Sequence, residues 1–100
     1  MALQFTLEAS SKINNIGFAF DAAYAVIDSA RFGVKNPITH AVEDVILVTV
    51  WANAVAKDAN RNPVGGVSIA VPHGQLTSTA QSYVYLATLT DKFPGAVTVA

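Results

Sequence analysis

The stretch from Asp44 to Ala56 constrains the fold more than any other part of the chain. It contains neither glycine nor proline, it is rich in β-branched residues, and its apolar residues recur at every second position. Ile46, Val48, Val50, Ala52, Ala54 and Ala56 form one set, all apolar, while Val45, Leu47, Thr49, Trp51, Asn53 and Val55 form a mixed one. Period two in β-branched residues is the pattern of a strand with one face on a core. Read as a single strand at ~3.3 Å per residue, the run spans roughly 40 Å. That is longer than a small sandwich requires. One face is therefore expected on the chain's own core and the other against a neighbour.

The flanking segments add strands and one helix. Gln4 to Ala9 alternates, with Phe5, Leu7 and Ala9 on one side and Gln4, Thr6 and Glu8 on the other, so a half-buried strand is expected. Ser10-Ser11-Lys12 and Asn14-Asn15 read as a loop before Gly17. Within the apolar segment Phe18 to Phe32, Ala22 to Arg31 reads as a second strand, with Tyr24, Val26 and Asp28 on one face and Ala25, Ile27 and Ser29 on the other. Gly33 to Ile38, carrying Asn36-Pro37, reads as a connection. Asp58 to Gly66 reads as a turn region. Val67 to Val71 alternates again and is expected to form a hairpin with the long strand, ended by Pro72-His73-Gly74.

Thr77 to Leu89 changes period. Ser78 with Gln81 fits a capping box. Ala80, Tyr83, Val84 and Ala87 fall on one helical face, while Tyr85, Leu86 and Leu89 cover much of the rest. A helix apolar around most of its circumference is expected to be buried. Phe93-Pro94-Gly95 lies beyond its end, and Ala96 to Val99 reads as a short closing strand or a tail that pairs with a neighbour. The expected fold is α+β and mainly β. It is one domain over residues 1–100, an antiparallel sheet or small sandwich of about five strands with a helix at about 77–89.

Composition sharpens the expectation of a neighbour. Charged residues are 13% of the chain and the hydrophobic share is 52%, with a mean hydropathy of +0.40. An ordinary soluble domain carries roughly 25% charged residues. A domain of this size is mostly surface, so some apolar surface is left over for a partner. The longest apolar stretch, Val45 to Ala56, is broken by Thr49 and Asn53 and falls short of a membrane-spanning helix. MALQFTLEASSK lacks the basic and apolar regions of a signal peptide. Without cysteine there is no disulfide framework and no thiolate chemistry. The basic residues Lys12, Arg31, Lys35, Lys57, Arg61 and Lys92 stand singly, without the patch that nucleic-acid binding needs. Neither nucleic acid nor membrane is expected as a partner.

No catalytic constellation is expected. His40 and Glu43 stand three apart, but a third metal ligand is not evident. His73 sits between Pro72 and Gly74 and reads as a turn residue, with a general base or pH switch as the functional alternative. There is no Gly-x-Ser-x-Gly elbow, and Gly65-Gly66 is not followed by the Gly-Lys-Ser/Thr of a phosphate loop. Asp21, Asp28, Glu43, Asp44, Asp58 and Asp91 read mostly as solvated or capping carboxylates in turns or at element ends. The chain is therefore expected not to be an enzyme and to hold neither cofactor nor metal. Its candidates are interface residues instead: Trp51, Tyr24, Tyr85, Val48, Val50 and Phe93. A second reading places Trp51 and Tyr24 in a shallow groove beside Asn53, as a carbohydrate- or peptide-binding module.

Several segments resemble small proteins encoded among the virion genes of tailed bacteriophages. The chain opens Met1-Ala2-Leu3 before an alternating strand. Gly17 is followed, after a gap of five residues, by Ala23-Tyr24-Ala25. Trp51-Ala52-Asn53 is similar to the Tyr-Ala-Asn/Asp that ends a central strand in those proteins. Tyr83-Val84-Tyr85-Leu86-Ala87-Thr88-Leu89 matches their Tyr-x-Tyr-Leu-x-Thr-Leu helix, and Phe93-Pro94-Gly95-Ala96-Val97 their Phe-x-Gly-Ala-Val segment. Their Leu-Pro-Glu-Phe is replaced by Leu89-Thr90-Asp91-Lys92-Phe93. The resemblance implies a structural subunit of the virion, present in the host cytoplasm during assembly. It implies a homo-oligomer with other virion structural proteins as neighbours, without separating head from tail; a tail or baseplate component is the favoured expectation, with capsid decoration as the alternative.

Overall fold

The computed structural model describes residues 2–74 and 79–99. Five strands form one antiparallel sheet: β1 (Ala2–Leu7), β2 (Phe20–Lys35), β3 (Val42–Trp51), β4 (Gly65–Pro72) and β5 (Val97–Val99). Two helices accompany them, α1 (Ala54–Asp58) and α2 (Thr79–Ala87). The strand order is β4-β3-β2-β1-β5, so the chain forms a single sheet and not a sandwich.

Alternation decides which side of the sheet is covered. Leu3, Phe5 and Leu7 of β1 lie beside Ala23 and Ala25 of β2, and beyond them come Val50, Val48 and Ile46 of β3 and Ile69 and Val71 of β4. Tyr83 and Leu86 of α2, together with Phe93, Ile13 and Val64, complete this core. Small Ala23 and Ala25 sit opposite Phe5 and Leu3, so volume is shared across the pair as close packing requires. Phe5 and Phe93 meet edge to face, with centroids 4.9 Å apart. The Tyr83 hydroxyl accepts a hydrogen bond of 3.0 Å from the Ile27 N–H, so the one polar tip in this aromatic layer is satisfied.

Several expected boundaries are corrected. The long strand ends at Trp51 and not at Ala56. Asn53 stops it: its backbone is still extended, but its side chain accepts from the Ala56 N–H at 2.8 Å and opens α1, a helix absent from the sequence reading. Ala54 and Ala56 fit a helix as readily as a strand, so alternation alone could not locate this change. β2 is longer than Ala22–Arg31 because it continues through Gly33 to Lys35. It does so with register shifts between Ile27 and Ser29 and between Arg31 and Val34, which are β-bulges. Gly33 adopts a φ of +69°, a conformation that favours glycine. The expected Gly33–Ile38 connection is thus confined to the turn after Lys35, where the Asn36 side chain accepts from the N–H groups of Ile38 and Thr39.

At the amino end β1 covers Ala2–Leu7, leaving Glu8 and Ala9 outside the strand. Loop residue Asn14 is a hub here, donating to the carbonyls of Glu8 and Phe18 and accepting from the N–H groups of Ile16 and Gly17. Thr77 and Ser78, and with them the expected capping box, lie outside the described residues. α2 buries Tyr83 and Leu86 but leaves Val84 exposed, so it is not apolar all round. The closing segment pairs with β1 of the same chain through Val97, Thr98 and Val99.

One glycine is required by close approach. The loop carbonyl of Ile13 lies against β4, and a Cβ on Gly65 would stand 1.8 Å from it. Gly65→Ala is therefore expected to cost about 1–3 kcal/mol of stability through forced backbone movement. Exposed Ser68→Ala on the same strand should stay within roughly 0.5 kcal/mol of the parent. Urea unfolding of the two variants checks both values.

Candidate functional site

β3 lies between β2 and β4, and its alternation continues past Ile46 to Asp44. Period two puts this carboxylate on the core-facing side, where Asp44 is only 1% exposed. A buried carboxylate needs donors, and β2 and the turn after β4 provide three. The Gly33 N–H donates to Oδ1 at 3.0 Å from the second bulge of β2, and the Gly74 N–H approaches Oδ2 at 3.4 Å from beyond β4. His73 Nδ1 lies 2.7 Å from Oδ1, with the imidazole about half exposed. Asp44 thus ties the β2 bulge to the end of β4. The sequence reading grouped Asp44 with turn and end-of-element carboxylates, and this is corrected: it is a buried strand residue. The available signal was its position two residues before Ile46 on the all-apolar set.

The Asp44 carboxyl is held below the ordinary carboxylate range, chiefly by the His73 hydrogen bond; burial opposes this, and the Gly33 and Gly74 N–H groups and the charge of His73 add to it. The chemistry available is that of an oriented imidazole, one nitrogen on a carboxylate and the ring about half exposed. Among the described residues no hydroxyl bonds to His73, and no group of three or more metal-ligating side chains occurs. His40 stands exposed in the hairpin turn with a φ of 61°, and Glu43 lies on β3 opposite Val34. Asp28, on the first bulge, accepts a hydrogen bond from the Thr49 hydroxyl. Asp21, Asp58 and Asp91 are exposed.

The interface candidates separate into two groups. Val48, Val50 and Phe93 belong to the chain's own core, which corrects their expected place at an interface: alternation turns both valines into the buried cluster, and Phe93 packs on Phe5. Tyr85 is half-buried beside the same core. Tyr24 and Trp51 are half-buried neighbours in register on the opposite face of the sheet, which also carries Val26, Val45, Leu47 and Thr49. Of the expected groove, Trp51 and the neighbouring Asn53 are both engaged inside the chain. The indole N–H donates to the Arg61 carbonyl at 3.1 Å, the Lys57 ammonium lies 5.8 Å from the ring centroid, and Asn53 caps α1.

Two surface features remain. A cleft of about 480 Å³ is lined by Glu8, Ser11, Lys12, Val67, Asp91 and Lys92 among others, and its two acids and two lysines balance. The second feature is the far half of the β2–β3 hairpin. Pairing between β1 and β2 reaches Ala25, whereas β2 runs on to Lys35, so the hairpin projects beyond β1. Its apolar side chains were not singled out in the sequence, yet Phe32 is 57% exposed, Ile38 86% and Val42 48%. For Ile38 the signal was an apolar residue directly after Asn36-Pro37, in a turn where polar residues are usual.

No protein-family model, no curated protein and no solved structure matches the chain.

The Asp44 cluster carries a pH signature. A carboxyl with a depressed folded-state pKa adds stability that is fully present above the unfolded value near ~3.9 and is lost as the pH falls through the lower folded value. The urea midpoint of the parent chain is expected to drop below about pH 4. Asp44→Asn should begin from a lower midpoint at pH 7 and fall less across the acid window, because an amide does not titrate. Parallel acid profiles for the two proteins would assign the titration to another group.

Proposed function

We propose that the chain is a non-catalytic structural subunit of a tailed-phage virion, assembling with itself and with neighbouring virion proteins in the tail or baseplate. The observation that carries the assembly part is the projecting hairpin. Phe32, Val34, Ile38 and Val42 are exposed large apolar side chains beyond the reach of β1, on a chain with few charges to spare. Apolar surface of this kind is ordinarily a contact site. The scarcity of charge supports a subunit with apolar contacts. The virion part rests on the sequence resemblance, strongest over Tyr83–Leu89 and Phe93–Val97, and capsid decoration is the alternative position in the particle.

Light scattering across a concentration series tests the assembly reading. The parent chain is expected to form a fixed multimer or to gain mass with concentration. Phe32→Ser combined with Ile38→Ser should weaken that association while leaving the thermal midpoint within a few degrees, because neither side chain belongs to the core. A parent chain that stays monomeric throughout would overturn the proposal.

A further inference from the structure

We propose that β4 is a self-pairing edge, and that two copies of the chain join antiparallel through Ser68 and Ala70 about a two-fold axis at Ile69. The inference rests on the assembly reading and names a surface for it distinct from the hairpin tip.

β4 is the outer strand of the sheet, hydrogen-bonded on one side to β3. Its first residues are covered, because the Gly66 N–H points away from β3 and donates to the Ile13 carbonyl at 3.2 Å. In an antiparallel ladder the N–H and C=O of alternate residues point to the same side. Ser68 and Ala70 therefore turn both backbone groups outward, as Gly66 does. Among the described residues nothing bonds to them there, and both are exposed. Natural edges are usually protected by charge, proline or a bulge within the strand. The span Gly65–Pro72 carries no charged side chain, its register with β3 is unbroken, and its only proline is the last residue.

The occupant follows from the pattern. Val67-Ser68-Ile69-Ala70-Val71 reads nearly the same in both directions. Turned about Ile69, Ser68 of one copy faces Ala70 of the other, and the two residues exchange N–H···O bonds on both sides of the axis. Val67 then meets Val71, and Ile69 meets its own counterpart in the close, non-hydrogen-bonded position. Each contact pairs residues from the same face of the sheet, as register demands. The ladder stops by itself, since Pro72 has no N–H and Gly66 has already spent its own. The other long open edge, on β2 beyond Ile27, suits self-pairing less well. It carries Asp28, Arg31 and Lys35 and is broken by two bulges, and like charges brought opposite one another oppose pairing. Two-fold contacts, with the same patch on both partners, are the commonest mode of self-association.

Ala70→Pro tests this directly. The N–H it removes points away from β3, where an edge strand tolerates proline. The variant should keep its fold by circular dichroism while its self-association constant falls roughly tenfold or more, through loss of two ladder bonds. The chain has no cysteine, so a Ser68→Cys/Ala70→Cys protein reports the register. Oxidation should link two chains covalently, whereas Ser68→Cys alone should link poorly. If Ala70→Pro does not fold, the cysteine pair decides. A parent chain that associates, is indifferent to Ala70→Pro and shows no 68–70 link would overturn the β4 pairing while leaving the assembly reading standing. A parent chain that stays monomeric at every concentration overturns both and leaves the edge to a strand of another protein.

Discussion

The antiparallel pairing of β2 with β3 is the constraint on which the rest depends. β3 is the strand through which the longest ladder, the core face and the buried carboxylate all pass. Its register with β2 brings Ala25 beside Val50 and Ile27 beside Val48, and its register with β4 brings Ile46 beside Ile69. A one-residue slip in either ladder would turn every core side chain toward solvent. Asp44 makes such a slip costly at the far end. A slipped strand would take the carboxylate away from the donors on the β2 bulge and just beyond β4 at once, and so would leave those polar groups without their partner. The core specifies the near half of the sheet, and this polar cluster specifies the far half, where α2 contributes little cover.

The proposed functional surfaces follow from a mismatch of lengths. β1 and β5 flank only the first part of β2, so the second part of the sheet is a strip of β2, β3 and β4 with bare backbone along both sides. A small domain with few charges cannot hide such a strip by folding alone. The strip differs between its two edges: one is bulged and charged, the other regular and neutral. That asymmetry is what singles out the β4 edge in the proposed pairing.

Much of this was legible in the sequence, and the parts that were not have definite reasons. Alternation located β1, β3 and β4 because each keeps one face on a core. The end of β3 was hidden because Ala52, Ala54 and Ala56 continue the alternation into a helix, and only Asn53 marks the change. The true extent of β2 was hidden because each bulge shifts the pattern by one residue, so that no single period describes Phe20 to Lys35. Asp44, at the start of the long strand, reads by residue type as a solvated or capping end-of-element carboxylate, although its parity with Ile46 points inward. His73 was placed correctly in a turn, but the partner that orients it lies on another strand, and such pairings are not written in local spacing.

The first bulge has a consequence for how this chain tolerates change of length. Loss of one residue from the middle of a strand ordinarily inverts everything that follows it, because inward and outward positions exchange. β2 already holds one residue more than its partner between Ile27 and Ser29. Removing Asp28 would leave Ile27 opposite Val48 and Ser29 opposite Leu47 with no residue between them unmatched. The ladder would become more regular, and neither half would be turned over. Buried in the longest strand of the sheet is thus a place where the chain can be shortened by one residue without losing its orientation.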